Sequence, residues 1–173
     1  LVGGPTFNCT WHSGDIVAAL EQLSKLEAVI FVTLSRRSGR DVRQEVFLWA
    51  ASKLPRKISI FDPTEPGGVA NPYMALLHRA DCIAVTADSV GMASEACCAG
   101  HKVFTIGEHH CKGKLRRFHM VLREVCGTEA LERVHPGSLQ TGLTEVSHQK
   151  FQSKGLDDTK QVARIILDTF VAS

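Results

Sequence analysis

Apolar positions along this 173-residue chain follow two alternating rhythms. Beyond Ser13, the residues Ile16, Ala19, Leu20, Leu23 and Leu26 recur at helical spacing and predict an amphipathic helix. Val29 to Thr33 is rich in β-branched residues and predicts a strand. A second helix is expected over 41–52, where Val42, Val46, Trp49 and Ala50 share a face, and a strand over Lys57 to Phe61. A loop with two prolines and two glycines follows, closing at Asn71-Pro72 with a turn or helix-start signal, and a short helix runs to Arg79. Cys82, Ile83, Ala84 and Val85 are apolar without alternation, the mark of a strand covered on both faces. A helix opening at Asp88-Ser89, a strand over Lys102 to Ile106 and helices over 114–125 and 157–170 complete the series; 127–153 shows no clear pattern.

Strand alternating with helix predicts an α/β fold: a three-layer, mostly parallel, doubly wound Rossmann-like sheet with helices on both faces and right-handed crossovers. Residues 1–173 are long enough for one such nucleotide-binding domain, burying about 70% of the surface an unfolded chain exposes. Leu1, Val2 and Gly3 read as the end of a strand already in progress, with no initiator Met. The expectation is therefore a domain cut from a longer two-domain polypeptide.

Ligands of such sheets bind beyond the carboxyl ends of the strands, where strand order reverses. The residues after each strand have the right chemistry. Gly3-Gly4-Pro5-Thr6 lets backbone amides approach an anion, although a plain strand-ending turn needs the same glycines. Ser35-Arg36-Arg37 places two guanidinium groups for bidentate anion recognition, or else as solvated loop charges. Asp88-Ser89 opens a helix whose unpaired N–H groups suit a phosphate, with Val90 and Gly91 in its first turn. Glu95 lies one turn beyond Gly91 on the same face, where its carboxylate suits the vicinal diol of a ribose; a solvated helix glutamate is the plainer alternative. Lys112, Lys114, Arg116 and Arg117 form a second basic cluster, fit to close over a diphosphate or to face solvent along a helix.

Composition narrows the classes. A net charge of +2 with neutral histidines gives no field suited to nucleic acid or a membrane surface. No apolar run approaches the roughly 18 residues of a membrane span, and the first 20 residues lack a signal-peptide pattern. Six cysteines without a C-x-x-C pair suggest reduced thiols in an intracellular, cytoplasmic setting. His109, His110, Cys111 and His119, or Cys9 with His12, contain zinc-type ligands, but none has the paired spacing of a structural site, and no metal is expected. Neither G-x-G-x-x-G nor a P-loop pattern occurs, which disfavours a plain dinucleotide domain, and no nucleophile elbow surrounds Ser89.

Several motifs together carry a resemblance: L-V-G-G-P-T at 1–6, T-x-S-R-R-S at 33–38, N-P-Y at 71–73, A-D-x-I-x-V-T-A-D-S-V-x-M-x-S-E-A at 80–96 and K-x-x-R-F-H at 114–119. They resemble the mitochondrial fission family typified by the plant elongated-mitochondria protein, and the surroundings of Glu95 resemble the donor-binding half of GT-B glycosyltransferases. The resemblance implies the carboxyl-terminal half of a two-lobed fold that takes a nucleotide-sugar or nucleoside diphosphate as its ligand, with no further cofactor. It implies that Gly3, Gly4, Ser89, Val90 and Gly91 line the diphosphate, that Glu95 takes the ribose, that Asn71 and Tyr73 sit near the base, and that Arg36 and Arg37 face the cleft between lobes. Gly91 departs from the serine common in that family, as Ser38-Gly39 departs from its Pro or Thr. Catalysis would need the amino-terminal lobe, so this half alone is expected to turn nothing over. The alternative implied is a non-catalytic adaptor that recruits a dynamin-like GTPase at the outer mitochondrial surface.

Overall fold

The computed structural model describes residues 1–26, 28–53, 57–65 and 70–134. Among the described residues, five α-helices and five strands alternate: α1 (Ser13–Leu23), β1 (Ile30–Thr33), α2 (Arg40–Ser52), β2 (Ile58–Phe61), α3 (Tyr73–Arg79), β3 (Cys82–Thr86), α4 (Val90–Cys98), β4 (Lys102–Ile106), α5 (Gly113–Cys126) and β5 (Glu129–Ala130). The expected elements up to residue 125 all form. The helix expected over 157–170 lies outside the described residues. Within the stretch read as patternless, β5 adds two strand residues; so short a strand leaves no periodicity to read.

Strands β1 and β2 pair in parallel, as do β3 with β4 and β4 with β5. Residues 1–3 join the two groups. Val2 bridges Leu34 in parallel, its N–H donating to Thr33 O at 2.9 Å and its carbonyl accepting from Ser35 N at 2.9 Å. On the other side the Leu1 amino group donates to Ala84 O at 2.6 Å, and Thr86 N–H donates to Leu1 O at 3.1 Å. The order is therefore β2, β1, residues 1–3, β3, β4, β5: the chain steps outward one way, returns, and steps outward the other way. This is the doubly wound Rossmann pattern, and its order reverses between residues 1–3 and β3. Right-handed crossovers then put α1 and α2, which pack together, on one face, and α4 and α5 on the other.

The central strands are buried as their apolar runs demand: Val85, Thr86 and Thr105 have no exposure, and neither do Ala93 and Ala96 of α4. Those two alanines, one turn apart, let α4 settle close to the sheet. That seating fixes where the amino end of α4 points, beyond the carboxyl edge of β3.

One expectation about the cysteines is corrected. Cys9 and Cys111 form a disulfide, across 102 positions of sequence. The turn after residues 1–3 and the loop after β4 meet edge to edge there, with Lys112 N–H donating to Asn8 O at 2.7 Å. Neither cysteine sits in a predicted element, so nothing in the local pattern brings them together. Cys82, Cys97, Cys98 and Cys126 keep their thiols, and burial pushes the Cys82 thiol up to about 11.

Candidate functional site

A cavity of about 790 Å³ opens at the carboxyl edge, a size suited to a small molecule. It runs from the ends of β1 and β2 across Val2 to the first two turns of α4. Of the residues singled out in the sequence, Ser35, Arg36, Asn71, Tyr73, Ser89, Gly91 and Glu95 line it. Three segments supply them: the loop after β1, the start of α3 and the amino half of α4.

The polar geometry is specific at two places. Ser89 caps α4, whose first internal bond runs from Ala93 N–H to Ser89 O at 3.0 Å. Helix geometry leaves the N–H groups of Val90, Gly91 and Met92 ahead of that bond, at the positive end of the macrodipole. A Cβ on Gly91 would meet nothing within 4 Å, so the glycine borders open space. One turn on, exposed Glu95 accepts a hydrogen bond from the Tyr73 hydroxyl. Burial of Tyr73, reinforced by that carboxylate, raises its pKa and keeps the phenol a donor. Tyr73 is itself set by Asn71, whose Oδ1 accepts from Tyr73 N–H at 3.0 Å in an Asx turn that opens α3. Asn71-Pro72-Tyr73 thus steers the Glu95 carboxylate.

The rest of the predicted set lies outside the lining. Gly3 and Gly4 face a packed junction rather than open space. Gly3 N–H donates to Thr86 Oγ1 at 2.8 Å and Gly4 N–H to Asp88 Oδ2 at 3.0 Å. A Cβ at Gly3 would stand 2.4 Å from Asp88 Oδ2, and one at Gly4 2.3 Å from Arg37 O. Asp88 is buried and also accepts from Trp11 Nε1 at 2.8 Å, with Arg37 Nη2 at 3.4 Å. The protein's own Thr86 hydroxyl and Asp88 carboxylate occupy the Gly3 and Gly4 amides, and Arg37 leans on Asp88. Thr6 pairs with Cys9 in a tight turn. Val90 packs on the core, while Lys114 and Arg117 are exposed on α5, away from the lining.

Arg43, Asp62 and His119 brace the surroundings of the cavity. Arg43 of α2 donates from Nε to Asp62 Oδ2 at 2.9 Å, from Nη2 to Ser35 O at 2.9 Å, and from Nη1 to Ser38 O. It ties the loop after β1 to the loop after β2. Burial opposes ionisation of Asp62, but the backbone and hydroxyl donors of Thr64, with Arg43, outweigh it and hold the carboxyl below its ordinary range. The D-P-T sequence at 62–64 is a readable Asx-type signal; Arg43, four residues into a helix, is not. Behind the α4 entrance, fully buried His119 meets Ala87 O through Nε2 at 2.6 Å, bracing the segment that leads to Asp88 and Ser89.

Comparison with known proteins bears on the whole chain. The family description mitochondrial fission ELM1 matches residues 1–170. The chain is similar to mitochondrial fission protein ELM1 of Arabidopsis thaliana, 33% identical over 126 residues, covering 71% of this chain and 28% of the relative. It is also similar to the uncharacterized protein RP120 of Rickettsia prowazekii, 28% identical over 170 residues, covering 96% of this chain and 44% of the relative. It spans less than half the length of both. No solved structure matches.

Proposed function

We propose, for a chain that belongs to the mitochondrial fission ELM1 family, that the cavity binds a nucleoside diphosphate or its sugar conjugate, as the donor-binding half of a GT-B glycosyltransferase does. The observation that carries this is the pairing of the α4 amino end with Glu95 inside one cavity at the strand-order reversal. In this reading the diphosphate accepts from the amides of Val90, Gly91 and Met92 and draws on Arg36, a mobile-length cation at the rim. Glu95, oriented by Tyr73, takes the ribose diol. Because Asp88 already holds Gly4 N–H, the anion sits on the α4 side of the junction and not on Gly3-Gly4. Positioning the donor and stabilising the departing diphosphate are what this half would contribute to transfer.

Calorimetric titration of UDP, GDP, CDP and their sugar conjugates tests it. One base should bind with saturation, and Glu95→Gln should weaken it about tenfold to a hundredfold, the scale of lost hydrogen bonds to a charged acceptor. Absence of binding by all of them would remove the reading.

A second reading draws on the carboxylate of Asp88, which fills an amide position that a diphosphate could otherwise use: a scaffold without chemistry that recruits a dynamin-like GTPase in organelle division. Pull-down with the full-length protein separates the two. Recovery of such a GTPase by both wild type and Glu95→Gln supports the adaptor, and its absence removes it.

A further inference from the structure

We infer that Asp15, His109 and His110 form a binding site for a divalent transition-metal ion of the zinc, cobalt and nickel class. Asp15 is far in sequence from the adjacent His109 and His110, and no metal-type spacing links them. The fold brings them together: one potential donor atom from each lies within 4.8 Å of the other two. Asp15 sits in the first turn of α1, and the two histidines form a short 3-10 turn, Glu108–His110, after β4. The Cys9–Cys111 disulfide and its adjoining backbone pairing clamp these two loops together.

Three details go beyond proximity. Metal bonds of about 2.0–2.2 Å place neighbouring N and O donors about 3.0–3.5 Å apart, and His110 Nε2 already stands 3.2 Å from Asp15 Oδ2. That Nε2 is buried and makes no hydrogen bond, although the carboxylate is within reach. A helix-capping role for Asp15, which accepts from His12 N–H at 2.7 Å, accounts for the aspartate but not for the imidazole turned toward it. Finally, His109 Nδ1 meets Glu132 Oε1 at 2.8 Å, the carboxylate–imidazole arrangement that fixes the tautomer of metal-bound histidines and leaves Nε2 to coordinate. The His109 ring is half-exposed and its centroid lies 3.9 Å from that of His110. Two imidazoles and one carboxylate leave coordination positions for water, as in open rather than closed zinc sites.

Cobalt(II) titrated into the oxidised chain tests this, followed by calorimetry and visible absorption. The expected result is one saturable site whose spectrum lacks a thiolate-to-cobalt charge-transfer band. His109→Ala, a change at a half-exposed side chain that the fold tolerates, should weaken binding more than about 100-fold, and Glu132→Gln about 10–100-fold, as outer partners of metal ligands do. Asp15→Asn should also lose binding, with retained far-ultraviolet circular dichroism showing an intact fold. No saturable binding, binding equal in wild type and His109→Ala, or a thiolate band would each overturn the assignment. Nucleotide affinity is not part of the readout.

Discussion

Two glycine-bearing corners face each other across the reversal of strand order, and they have opposite surroundings. At Gly3-Gly4 an added Cβ would run into Asp88 or Arg37, and the amides are already bonded to Thr86 and Asp88. At Gly91 nothing lies within 4 Å of the missing Cβ, and Ser89, Gly91 and Met92 of the α4 entrance line the cavity. The same residue type thus serves close packing in one corner and access in the other. A glycine after a strand signals that backbone is needed near something; only the fold tells whether that something is the protein or a ligand.

Removing the internal anion should break the filled corner most severely. Asp88→Ala strands Gly4 N–H and Trp11 Nε1 in a buried setting, and urea unfolding should show a loss of about 3 kcal/mol. Gly4→Ala forces a methyl against Arg37 O and should cost about 2 kcal/mol by the same measurement. A smaller effect comes from His119, which braces Ala87 between the two corners. Burial lowers its pKa, against the pull of the Ala87 carbonyl, Glu108 and Asp88, while Arg123 adds to the lowering. The folded chain therefore binds a proton less readily than the unfolded one. Its contribution is complete above the ordinary imidazole value of 6.5 and is lost as pH falls below it. Between pH 7.5 and 5.5 His119 should account for about 1 kcal/mol of lost stability, which His119→Asn removes from the pH dependence. At the open corner, Gly91→Ala should do the reverse: a gain of about 0.5–1 kcal/mol from better helix propensity, accompanied by weaker nucleoside diphosphate binding as the methyl enters the cavity.

Much of this was legible in the chain. The unbroken apolar run Cys82–Val85 and the β-branched stretch before Thr33 point to buried parallel strands because burial on both faces leaves no polar alternation. Gly91 and Glu95 were legible as a pair because helical periodicity alone puts them on one face, and Ser89 because it opens the same helix. Tyr73 came only through the N-P-Y resemblance, since its contact with Glu95 depends on how α3 and α4 are placed. The duties of Arg43, Trp11 and Asp88 were not legible, because each bonds to groups supplied by distant loops. The Cys9–Cys111 disulfide was missed for the same reason: a composition argument weighs six thiols together, whereas pairing depends on which two loops touch.

Amide chemical-shift mapping of the 15N-labelled chain during titration with nucleoside diphosphates tests the division between the corners most directly. The account predicts that the largest movements fall on Val90, Gly91, Met92 and Glu95, with Gly4 little changed because Asp88 keeps its amide. Movements centred on Gly3, Gly4 and Trp11, with Gly91 still, would contradict it.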